Sequence, residues 1–168
     1  MNQTRRSEAV LAIYPTRRGF GYVVMHSPLS PSDWGVRGAR ANPKNATCLA
    51  KVSALIEAHQ PDAIVMEDPT ASGSNRPPRI KNLCLAIAKL ADSQAIDVHV
   101  YPRSRVTEFF QQFGAKTRYE IAMVVSKQVA ALERFLPSRR KLWESESSRM
   151  SIFNAVALAM TFFAAVAE

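Results

Sequence analysis

Ahead of Pro43 the apolar residues come in short runs broken by turn residues. Residues 8–14 end in Leu11-Ala12-Ile13-Tyr14 and read as a buried strand, and residues 20–25 return as a second one. Between them Pro15-Thr16-Arg17-Arg18-Gly19 reads as a turn, so the pair predicts a hairpin with two arginines at its tip. A polar, Pro-rich link covers 27–32, and 33–36 predicts a third strand, completing an antiparallel meander. Beyond Pro43 the period changes. Leu49, Val52, Leu55 and Ile56 recur at helical spacing and predict an amphipathic helix over 45–59. Ala63-Ile64-Val65-Met66 is a continuous apolar run ahead of Glu67 and Asp68, the pattern of a strand buried on both faces in a parallel part of a sheet. A Gly/Ser/Asn/Pro loop over 69–78 leads to a helix at 80–93 and a short strand at 98–100. Two helices at 104–113 and 117–135 are separated by Gly114. A basic linker (137–141), an acidic-polar linker (143–148) and an apolar helix (150–167) complete the chain.

Three strands followed by helix, strand, helix, strand and helices predict one α/β domain over 1–168, a three-layer arrangement with a mixed five-stranded sheet and helices on both faces. In such sheets the functional crevice lies outside the carboxyl ends of the parallel strands, here Tyr14 and Glu67-Asp68. The last helix sits at the lower length limit for a membrane span. Its Ala-rich composition and Asn154 favour a helix buried in the domain core, with no membrane partner.

Composition narrows the classes. The 168 residues are 47% hydrophobic and 21% charged, which excludes disorder as the main state. Twenty-two Lys and Arg against 14 Asp and Glu give a net charge of +8, which favours a polyanionic partner. Cys48 and Cys84 fall in helical segments among apolar neighbours and read as reduced, buried thiols. His26, His59 and His99 are far apart and read as surface or edge residues, and no CxxC or HxxxH spacing occurs. The apolar stretch near the N-terminus is too short for a signal h-region, so a cytoplasmic location is expected.

Three segments carry chemistry. Ile13-Tyr14-Pro15-Thr16-Arg17-Arg18-Gly19-Phe20-Gly21-Tyr22 is a strand, a turn and a glycine-bearing return strand. Pro61-Asp62-Ala63-Ile64-Val65-Met66-Glu67 is a buried strand ending in a carboxylate. Asn154-Ala155-Val156-Ala157-Leu158-Ala159 lies on the last helix. Together with Tyr101-Pro102 and Gly114-Ala115-Lys116, their order and spacing resemble the RuvC-type Holliday-junction resolvases of the RNase H-like superfamily, over about residues 10–163. The resemblance implies an RNase H-like fold. It also implies a junction endonuclease in which carboxylates hold two Mg²⁺ or Mn²⁺ ions that activate water and stabilise the leaving oxygen. It further implies a homodimer acting on two-fold symmetric DNA.

Carried over residue by residue, the family's first-strand Asp falls on Tyr14, its fourth-strand Glu on Glu67, and its last-helix acids on Ser151 and Asn154. Glu67 remains as the one carboxylate ligand, with Asn154 offering a neutral oxygen. A phenol is neutral at ordinary pH and binds Mg²⁺ poorly. Asp68 is expected on the opposite face of its strand. Glu144 and Glu146 precede Asn154 by two turns or more, so a continuous helix would carry them about 10 Å away. Asp33 and Glu120 have nothing in the sequence that places them in the site. Two-metal hydrolysis is therefore expected to be lost or severely weakened, with one weakly held Mg²⁺ or Mn²⁺ at Glu67 and Asn154 left open if any activity remains.

The cations have the opposite distribution. Arg17 and Arg18, then Arg76, Arg79 and Lys81, then Arg103, Arg105, Lys116 and Arg118 all follow strand ends on the site side. This is the arrangement of a surface that contacts a phosphate backbone with little sequence readout, and the resemblance implies DNA more than RNA. The resulting expectation is a nucleic-acid-binding protein with a degenerate metal site. The alternatives are an active endonuclease that recruits other acids and a protein-interaction module on the same scaffold. Each residue also has a plain structural role open to it. Glu67 reads equally as a solvated strand-end carboxylate, Tyr14 and Asn154 as a packed polar cluster, and Trp34 and Trp143 as core aromatics or base-stacking platforms.

Overall fold

The computed structural model describes residues 9–141, 143 and 146–167. Glu8, at the start of the first predicted strand, and Glu144 lie outside them. Five strands form one mixed sheet: β1 (Val10–Thr16), β2 (Gly19–Met25), β3 (Pro31–Gly38), β4 (Ala63–Glu67) and β5 (Asp97–Tyr101), in the order β3-β2-β1-β4-β5. The meander β1-β2-β3 is antiparallel, and β1, β4 and β5 run parallel. Helices α1 (Lys44–His59) and α2 (Pro78–Ser93) cover one face with Leu11, Ile13, Phe20, Tyr22, Ile64 and Met66. Helices α3 (Arg103–Phe110), α4 (Arg118–Gln128) and α5 (Met150–Ala167) cover the other with Val10, Ala12, Val23, Ala63 and Val65. β1 and β4 are apolar on both faces because both faces are covered, whereas the edge strand β5 is only half-buried.

Several boundaries differ from the sequence pattern for physical reasons. β1 runs on through Pro15 to Thr16, and Thr16 pairs with Gly19, so the turn is only Arg17-Arg18. Neither arginine takes a positive φ; Gly19 does, at +151°, where a Cβ would strike the Arg37 carbonyl oxygen. Glycine is required there. β3 spans eight residues rather than four because it pairs along the whole length of β2. The helix expected over 117–135 is two elements. Thr117 and Glu120 form a reciprocal capping box that starts α4, and the backbone leaves the helix at Val129 (φ −111°, ψ 89°). A 3₁₀ segment, Ala130–Phe135, then follows. The break buries Val129 and Leu132 in the core and sets Phe135 edge-on against Trp34, 5.8 Å between ring centres. The helix expected over 104–113 similarly ends as a 3₁₀ turn at Gln111–Phe113, closed by Gly114 in the left-handed region.

α5 lies across β1, β2 and β4. It is long and apolar enough to cross a membrane by length and composition, but 67% of it is buried inside the fold, as the reading of a core helix requires. It approaches the sheet closely at Gly21. A Cβ there would meet the Ser151 side chain at 2.3 Å and the Ser151 backbone at 2.5 Å. The absent side chain of Gly21 thus sets the height of α5 above the sheet, and with it the position of Asn154 one turn further on.

Candidate nucleic-acid interface at the carboxyl edge of the sheet

Strand alternation decides which side chains meet at the sheet's carboxyl edge. Val10, Ala12 and Tyr14 face α5, as do Ala63 and Val65, so Glu67 continues the same face. The parallel register pairs Ile13 with Met66, which leaves Tyr14 and Glu67 as the next step on adjacent strands. α5 delivers Asn154 to the same place, and Tyr14, Glu67 and Asn154 line one narrow slot with Arg103 and Arg118. Its volume is about 40 Å³, too small for a nucleobase. Ser151 is buried over Gly21, and its hydroxyl donates to the Ser148 carbonyl at 2.6 Å. The four positions aligned by the resemblance therefore do converge, as Tyr, Glu, Ser and Asn.

Glu146 is a correction. α5 begins at Met150, as the sequence pattern has it, so the distance reckoned along a continuous helix does not apply to Glu146, and a turn with Met150 N–H on the Ser147 carbonyl precedes the helix. Glu146 then lines the cleft with Tyr14, Arg76, Arg118 and Asn154 rather than standing two helical turns away, and its carboxylate lies 3.6 Å from the Arg118 guanidinium. Asp33 and Glu120 are elsewhere. Asp33 accepts from Tyr22 and contacts His59, and Glu120 caps α4. Asp68 closes its own loop by accepting from the Thr70 N–H and hydroxyl.

Arginine dominates what remains. The Arg76 guanidinium stacks 4.9 Å from the Tyr14 ring centre and donates to the Pro15 carbonyl. A cation thus sits on the residue that the resemblance aligns with a first-strand acid. Arg17 and Arg18 line the outer cleft with Arg76 and Arg118, and Arg103 joins them on the far side beside Glu67 and Asp68. Five arginines face three carboxylates (Glu67, Asp68, Glu146) around this edge. Arg79 is turned inward instead. It donates to the Thr16 and Arg17 carbonyls and to Asn45, tying the hairpin tip to α1. The residues lining the cleft do not include Lys81, Arg105 or Lys116.

The phenol of Tyr14 is held above its ordinary pKa, chiefly by burial and then by the nearby Glu67 carboxylate, with Arg118 and Arg76 opposing. It stays protonated at neutral pH, so position 14 offers a neutral hydroxyl where an aspartate would offer a charged carboxylate. These donors do not fit a metal pair. Among the described residues no group of three or more His, Cys, Asp or Glu is placed to hold an ion. Two dications would also add four positive charges to an edge already rich in guanidinium. The sequence pattern alone missed two participants: Glu146, hidden by the assumption of a continuous helix, and the stacking of Arg76 on Tyr14, which depends on how the 69–78 loop returns.

No family model matches the chain, and no curated protein matches it either. Solved structures do. Thermus thermophilus RuvC superposes with a TM-score of 0.64 at 18% identity, covering 95% of this chain and 96% of that one. A T. thermophilus RuvC structure in complex with a Holliday junction substrate gives 0.65 at 18% identity with the same coverage. The yeast mitochondrial Holliday junction resolvase Ydc2 gives 0.61 at 15% identity, covering 95% of this chain and 81% of that one. The chain has a RuvC-like fold, with the mixed five-stranded sheet of the RNase H-like class.

Proposed function

We propose that this protein binds branched DNA through direct arginine–phosphate contacts at the carboxyl edge of its sheet, without a bridging metal and without robust cleavage. The observation that carries the reading is the inversion of charge in the cleft. Hydrogen-bond donors stand at 14 and 154, Arg76 stacks on Tyr14, and five arginines surround three carboxylates. A site of this sign attracts a phosphodiester itself, where a carboxylate-rich site needs cations between. DNA rather than RNA, and a branched form of it, are supported by the RuvC structure that contains a Holliday junction. Two copies of the chain would match the two-fold symmetry of such a junction. The reading places the protein in recombination or repair, in the cytoplasm.

The test is a gel-shift and nicking assay on a four-way junction and a matched linear duplex. The expected result is junction binding that EDTA leaves unchanged, and no nicking in Mg²⁺ or Mn²⁺. The sign of Glu67→Gln is informative. Removing an anion from a phosphate-binding edge tightens binding, with or without EDTA, by a few-fold. Cleavage in Mg²⁺ that disappears in Glu67→Gln would establish a working endonuclease and overturn the reading.

A further inference from the structure

Trp143 is the most exposed large apolar side chain among the described residues, at 79%. One exposed apolar residue is ordinary on a protein surface. Its surroundings set it apart. The Lys141 ammonium lies 5.4 Å from its ring centre, and Arg139 and Arg140 come just before in the chain. This stretch is anchored on α4: the Tyr119 hydroxyl donates to the Pro137 carbonyl at 3.1 Å, and the Arg139 guanidinium sits 5.7 Å from the Tyr119 ring centre. Between α4 and the stretch runs a groove of about 650 Å³ lined by Arg103, Arg118, Tyr119, Arg139 and Arg140. Arg103 and Arg118 also line the cleft at Tyr14 and Glu67, so one basic track connects that cleft with the stretch that ends at Trp143.

We propose that Trp143 is a stacking platform for an unstacked nucleobase, and that Arg139 and Arg140 hold the phosphates of the strand that carries it. The inference rests on the nucleic-acid reading of the cleft and extends it to a second strand path. A duplex offers its phosphates but hides its base faces. An indole beside cations therefore contributes only where bases are splayed, as at a junction crossover or in a single strand. An acidic protein partner would use the same cations without needing a free aromatic face.

Trp34 packs against Phe135, so a Trp34→Phe background leaves Trp143 as the single fluorophore of its kind. The probes are a four-way junction, a single-stranded oligonucleotide and a matched linear duplex. Trp143 emission is expected to be quenched by the first two and to change little with the third. Trp143→Ala is expected to weaken junction and single-strand binding about tenfold and leave duplex binding unchanged, while Trp143→Phe stays within about threefold of wild type. Unchanged emission at saturating junction, or equal losses on all three probes, overturns the stacking role while leaving the cleft reading intact. Failure of the unsubstituted protein to bind any probe overturns both.

Discussion

Tyr14 is where the chemistry of the cleft turns. Its phenol is buried and lies against a carboxylate, so folding raises its pKa above the ordinary value of 10.0. The folded state then holds the proton more tightly than the unfolded chain. That contribution to stability is complete below about pH 10 and is lost as the pH climbs through the folded pKa. Urea midpoints of the wild type and Tyr14→Phe, compared from about pH 8 upward, should run parallel up to about pH 10, after which the wild type falls away faster. Tyr22 and Tyr101 are also raised by burial, but both proteins carry them, so the difference isolates Tyr14. A second prediction concerns the positions that the resemblance aligns with acids. Tyr14→Asp with Asn154→Asp places two carboxylates beside Glu67. Each charge near a dication is worth roughly 1–4 kcal/mol. Calorimetry should then register Mn²⁺ binding at least about tenfold tighter than in the wild type, and tighter again once Arg76→Gln removes the guanidinium over position 14. No gain in either variant would mean that these positions do not share a site. That positions 14, 67 and 154 would meet at one sheet edge followed from the resemblance in motif order. The stacking of Arg76 did not, since a loop's return path leaves no periodic trace in the sequence.

Elements place these residues, and the contact between β2 and α5 places Asn154. Gly21→Ala puts a methyl 2.5 Å from the Ser151 backbone, which a buried helix cannot vacate without moving as a whole. The expected cost is about 1–3 kcal/mol, read as a lowered urea midpoint. Gly38→Ala is the control: its nearest neighbour would be 3.8 Å away, and it should cost no more than about 0.5 kcal/mol. Equal effects would show that the helix has room to lift. The apolar runs made β1, β2, β4 and α5 legible because burial on both faces leaves an unbroken signature. β3 was legible only in part: its pattern is half-buried and mixed, and its length is set by pairing with β2. The break at Val129 was hidden for the opposite reason. Its neighbours remain apolar at helical spacing through Leu132, so periodicity continues where the backbone does not. Glu146 was missed because its distance was reckoned along a continuous helix although the pattern put it in a linker, and the path of that serine-containing linker carries no hydrophobic signal.

For the whole molecule, the net charge of +8 named a class of partner but no location. The fold opens the β1, β4 and β5 connections at one sheet edge, where the proposed reading locates that partner, and it divides the arginines between structural and exposed roles. Arg79 is engaged with the hairpin carbonyls, whereas Arg17 and Arg18 are exposed at the tip it secures. Arg118 is shared between Glu146 and the cleft. Each phosphate contact that displaces a counterion adds about 0.9 to the slope of log K against log salt. Arg118→Gln and Arg18→Gln should therefore each reduce the slope by about 1 and weaken binding across DNA sequences alike. Arg79→Gln should leave the slope nearly unchanged and lower the thermal midpoint instead, since it removes hydrogen bonds that hold the tip. Double substitution of Arg118 and Arg18 should add in slope if one DNA backbone crosses both, because the losses are then independent ion-release steps. An unchanged slope in either single variant would take that arginine off the path. Equal slopes in all three would mean that the charge acts as a diffuse field rather than through contacts at the cleft.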